Sequence, residues 1–118
     1  MLIISLIVLS MFFLYHKSVK SESDFSILIN EIMYNPLGSD TCFEWIELYN
    51  PSSTPVNITG WIISDEQEED QIFSDLIHGN GSLEIPSKKY AIITDQDTQI
   101  YENLSLPFDT IKLVVDDN

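Results

Sequence analysis

From Ile27 onward the sequence predicts one all-β domain, a sandwich or barrel, and three observations carry that prediction. Short segments alternate apolar and polar residues with period two, turn residues punctuate them, and no stretch carries a helical apolar stripe or heptad repeat. Length agrees, since 118 residues leave room for a single core.

The first element stands apart from that domain. Residues 2–15, LIISLIVLSMFFLY, form an apolar run interrupted by two serines and ended by His16 and Lys17. As a short hydrophobic helix it would be about 21 Å long, below the roughly 30 Å bilayer core but matching the apolar region of a secretory signal peptide. The small polar stretch Ser18 to Ser23 offers cleavage points near Ser21 or Ser23. No Lys or Arg precedes the run, so residues 1–23 read as a signal peptide or as a short uncleaved membrane anchor. Either reading exports the domain, to the extracellular space or to the outer face of the membrane, with lipid contact only through residues 2–15.

The strands follow in order. Ile27 to Tyr34 alternates Ile27, Ile29, Glu31 and Met33 against Leu28, Asn30, Ile32 and Tyr34, and Asn35-Pro36-Leu37-Gly38 stops it. In Glu44 to Tyr49, Ile46 and Leu48 share a face opposite Trp45, Glu47 and Tyr49, and the proline- and serine-rich loop Asn50 to Pro55 ends the segment. Gly60 to Ser64 is a third, closed by Asp65. The run Asp65 to Asp70 is expected to be a solvated loop, because like charges at that density repel and are costly to desolvate. Gln71 to Ser74, Ser82 to Ile85, Tyr90 to Thr94 and Thr110 to Val115 complete the set, with Pro86 and Pro107 at boundaries where a missing N–H does no harm. Asn80-Gly81 fits the centre of a tight hairpin turn.

Charge narrows the partners. Nineteen acidic residues against 5 basic ones give a net charge of -14, and two of the basic residues, Lys17 and Lys20, lie in or beside the export segment. That field repels nucleic acid, which is excluded as a direct partner. It is compatible with cationic partners, with divalent cations, or with solubility in a salty medium. The single cysteine, Cys42, excludes an internal disulfide and a multi-cysteine zinc site, and is expected to be a small buried hydrophobe.

Four ordered blocks then resemble a known family. They are Ile29-Asn30-Glu31-Ile32-Met33-Tyr34-Asn35-Pro36, then Glu44-Trp45-Ile46-Glu47-Leu48-Tyr49-Asn50, then Val56 to Asp65 with Gly60-Trp61 at its centre, and Ile85 to Asp95. Together they are similar to the lamin tail domain of secreted and surface proteins of prokaryotes. The resemblance covers about residues 26–115, makes residues 26–118 one domain and implies an immunoglobulin-like β-sandwich. Its motif residues here are Asn30, Glu31, Glu44, Trp45, Glu47, Asn50, Gly60, Trp61 and Asp65, in structural roles. Read physically, Trp45 and Trp61 are anchors to pack between two sheets, and Gly60 allows a bend or close backbone approach. Glu31, Glu44 and Glu47 must face solvent or accept hydrogen bonds. Family members usually continue past the Thr110 to Val115 strand with a further closing strand. The sandwich is therefore expected to lack its last strand and to leave an open edge after Val115, either as a fragment or as a site where a partner adds a strand.

No catalytic constellation emerges. His16 lies in the export segment, and His78 stands without a second histidine or cysteine nearby, so it reads as a surface residue; no nucleophile motif or phosphate loop occurs. Neither acidic cluster, Asp65 to Asp70 or Asp95 with Asp97, matches a calcium loop. No cofactor or metal is expected. Asn57, Asn80 and Asn103 head N-x-[ST] glycosylation acceptor patterns in an exported chain. The expected function is a non-enzymatic binding or anchoring module at the cell surface or outside the cell, with an unidentified protein or cell-envelope component as partner. The alternative is an N-terminal accessory domain of a longer secreted hydrolase or nuclease, as the resemblance implies.

Overall fold

The computed structural model describes residues 27–38 and 40–116. The hydrophobic helix and the signal or anchor segment, residues 1–23, lie outside the described residues. Among the described residues no helix is long and apolar enough to cross a membrane.

Among the described residues eight strands form: β1 (Leu28–Met33), β2 (Trp45–Tyr49), β3 (Val56–Asn57), β4 (Ile62–Ser64), β5 (Glu69–Ser74), β6 (Glu84–Ile85), β7 (Tyr90–Thr94) and β8 (Ile111–Val115). Two four-residue helical turns, α1 (Asp40–Phe43) and α2 (Ile100–Asn103), interrupt the connections. Helices this short have no amphipathic period to read, so the sequence pattern does not disclose them. The main sheet has six strands in the order β1-β2-β7-β8-β5-β4, and β3 pairs with β6 in a separate two-stranded sheet. Only β7 and β8 run parallel in the main sheet. A parallel pair needs a crossover rather than a hairpin, and residues 95–110, with α2, supply it.

The register fixes the faces. Ile46 and Leu48 of β2 stand opposite Ile93 and Ala91 of β7, and these in turn opposite Leu113 and Ile111 of β8. Val115 faces Ile72 of β5. These residues build the inner face, and Ile58 and Ile85 from around the small sheet close one end of it, both fully buried. Burying a branched aliphatic side chain in this way contributes ~1.5–3 kcal/mol. On the outer face Ile92, Val114 and Ile100 are also buried but stand apart from the main cluster, where the crossover covers the sheet.

Three expectations change. The acidic run is not wholly loop: Asp65–Glu68 makes the turn, and Glu69 and Asp70 enter β5 opposite Ser64 and Ile63. Both lie at the end of β5 that extends past its pairing with β8, where Glu69 is exposed and Asp70 only half-buried, so neither is taken fully out of water. The strand edge does not lie beside Val115. β8 is paired on both sides, and among the described residues the free edges of the main sheet are β1 and β4. Finally, the positive φ angles fall on Gly79 and Asn80 (75° and 56°), not on Asn80-Gly81 as a two-residue hairpin requires. Gly81 serves close approach instead: a Cβ there would stand 2.0 Å from the Asp75 carbonyl oxygen.

Candidate functional site

Strand β1 is exposed at every position, although it carries Leu28, Ile29, Ile32 and Met33. Its pairing with β2 slips between Ile29 and Glu31. Asn30 is the extra residue of a β-bulge. A regular strand would send Ile29 and Ile32 to opposite faces, but the bulge puts both on the inner one, Ile29 opposite Leu48 and Ile32 opposite Ile46. The Asn30 amide Nδ2 donates to Glu47 Oε1 at 2.6 Å.

The two free edges face a common groove of about 390 Å³. Ile29 and Ile32 bound it on the β1 side, Ile46, Ile93 and Val115 line it across the sheet, and Ile63 of β4 bounds it opposite. A single groove can touch both outermost strands only because the sheet curls. The β3–β6 sheet closes one end of the concave face and leaves the other open. Five carboxylates, Glu44, Asp65, Glu68, Asp70 and Asp95, also line the groove, with no lysine among the lining residues.

Local hydrogen bonds hold Glu44 and Asp65 among these acids. Glu44 Oε1 accepts from the Asn35 N–H at 3.2 Å. Asp65 Oδ1 accepts from the N–H groups of Gln67 and Glu68 at 2.7 and 2.8 Å, which fixes the β4–β5 turn. Those bonds hold its carboxyl below the usual carboxylate range. Among the described residues no group of three or more His, Cys, Asp or Glu side chains is placed to hold a metal ion.

The remaining motif residues have structural placements. Asn50 is fully buried. Its Nδ2 donates to the carbonyls of Thr54, Ile85 and Pro86, and its Oδ1 accepts from the backbone N–H and hydroxyl of Ser52. One side chain thus ties the loop after β2 to the loop after β6. Gly60 takes φ 78°, which its missing Cβ permits. The tryptophans are not the inter-sheet anchors expected of them: Trp45 is half-buried and borders the groove, and Trp61 is exposed. The inner face is filled by Ile, Leu and Val, so no aromatic anchor is needed there. Glu31 is exposed and faces Glu47 across β1 and β2.

Of the acceptor asparagines, Asn57 and Asn103 are exposed. Asn57 Oδ1 accepts from the Thr59 N–H. Asn80 is exposed as a residue, but its Nδ2 donates to the Thr110 carbonyl at 2.5 Å. Cys42 is half-buried, and its carbonyl accepts from the Gln99 N–H, which joins α1 to the crossover.

One cluster had no signal in the sequence beyond an aspartate three residues before a histidine. His78 is half-buried, with Nδ1 at 2.8 Å from Oδ2 of the buried Asp75. Asp75 Oδ1 also accepts from the N–H groups of Ile77 and His78. Burial opposes ionisation of Asp75, but the His78 and Ile77 donors outweigh it and hold the carboxyl below its ordinary value. The His78 ring lies 4.8 Å from that of Tyr101, and Lys112 Nζ sits over the Tyr101 ring and donates to the His78 carbonyl. Burial pushes the Tyr101 hydroxyl up to about 12. The Asp75–His78 bonds and the Lys112 bond to the His78 carbonyl bind the loop after β5 to the outer face of the sheet.

A curled antiparallel sheet, with one parallel crossover pair and a second small sheet against its concave face, defines an immunoglobulin-like β domain. The family model of the lamin tail domain matches residues 20–117, and the chain belongs to that family. No curated protein and no solved structure matches the chain.

Proposed function

We propose that this lamin tail domain is a non-enzymatic binding or anchoring module, exported to the cell surface or the extracellular space, with a protein or cell-envelope component as its partner. The observation that carries the binding half is the groove beside β1, where an unpaired strand edge and apolar side chains are both open to solvent. Exposed apolar surface of that kind costs solubility unless a partner uses it. The apolar run 2–15 supports export. The net charge of -14 argues against nucleic acid as the partner.

The test is fractionation of the tagged full-length chain, with protease added to intact cells. The chain is expected outside the cytosol and accessible to the protease. Recovery in the cytosol alone would end the export reading.

A further inference from the structure

We infer that the free edge of β1 takes up an extended basic segment of a partner protein, which adds to the six-stranded sheet beside Leu28–Met33 with alternate apolar side chains in the groove. This rests on the binding reading above and names its occupant. An unpaired edge offers main-chain hydrogen bonds, while side chains on the groove face give apolar contact and register. Ile29 and Ile32 are 58% and 53% exposed on the inner side, where the bulge has turned them. Every second residue of an added strand would lie against them.

Charge selects the occupant. Among the described residues the groove is lined by five carboxylates and no lysine. On the outer face Glu31 stands directly opposite Glu47, a like-charged cross-strand pair that is ordinarily destabilising. The three lysines among the described residues are engaged elsewhere: Lys88 donates to the Pro51 carbonyl, Lys89 pairs with Asp109, and Lys112 bonds the His78 carbonyl. A strand that alternates apolar and basic residues would set its cations on the outer face beside Glu31, with Glu47 one strand further in, while its apolar residues enter the groove. A second copy of this chain is the wrong occupant, because self-pairing of β1 adds glutamates to glutamates between two molecules of charge -14.

The experiment titrates the full chain, in mild detergent, against three labelled peptides about as long as β1. One alternates lysine with valine, one has the same composition with its lysines in a block, and one carries glutamate in place of lysine. The alternating peptide is expected to bind, the block peptide about five-fold more weakly and the glutamate peptide more than ten-fold more weakly. Binding should increase hydrogen-exchange protection at Leu28–Met33. Glu31→Lys should weaken binding about ten-fold, with an unchanged circular dichroism spectrum, while the distant charge reversal Glu102→Lys should not.

Equal binding of the block peptide, equal loss with Glu102→Lys, or binding without β1 protection would reduce the effect to general attraction to an acidic surface and overturn the inference. A dimer joined through β1, or β1 amides already protected before peptide is added, overturns it as well. Failure of binding in a chain found outside the cytosol removes this inference alone. A cytosolic chain that binds the alternating peptide removes only the export reading.

Discussion

Single residues in this domain act mainly by satisfying backbone groups that the loops leave unpaired. Asn50 does so for three carbonyls, and Asp75 does so for two N–H groups and the His78 ring. Asp75 carries a consequence in pH. Its folded-state pKa lies below the unfolded value of about 3.9. The ionised carboxylate therefore contributes its full stability above that value, and loses it as the pH falls through the folded pKa. Asp75→Asn should cost about 1–2 kcal/mol in urea unfolding at pH 7, and the gap to the parent chain should narrow at pH 3. A gap that is constant between the two pH values would show that the charge is not what matters. Motif position marked Asn50 as structural, but its burial and its three acceptors were not legible, because those acceptors come from two loops distant in sequence.

At the scale of elements, period two and turn residues placed β1, β2 and β7 within a residue or two, and β8 within one. They could not order the strands. The Thr110 to Val115 segment reads as a sheet edge by its position in the chain, yet β8 lies between β7 and β5. Burial follows pairing, so Leu113 is fully buried while Ile32, equally apolar, is half exposed. Leu113→Ala should cost about 2–5 kcal/mol, and Ile32→Ala below about 1 kcal/mol. Chemical denaturation of the two variants measures the contrast. Comparable costs would mean that β1 is covered in solution.

Across the whole molecule, self-repulsion among carboxylates opposes the core. A net charge of -14 with three described lysines leaves most carboxylates without a cation, so compaction brings like charges together. Raising salt from about 0.02 to 0.3 M shortens the screening length several-fold. The melting midpoint should then rise by about 4–8 °C, equivalent to ~1 kcal/mol for a domain of this size. A midpoint independent of salt would indicate that the carboxylates are spaced widely enough to ignore one another. The same charge distribution, with its bases in the β6–β7 turn and on β8, leaves the groove uniformly acidic.

The all-β class, the faces of β2, the solvation of the acidic turn and the family are all written in the linear chain, because period two and the order of short motifs are local properties. Where the sheet ends is settled only when the chain folds. The bulge at Asn30, the parallel crossover into β8 and the curl that brings β1 and β4 to one groove each depend on pairings between residues remote in sequence. Alternation fixes which side chains share a face of a regular strand. It does not reveal where a strand slips by one residue or which strand is left without a neighbour.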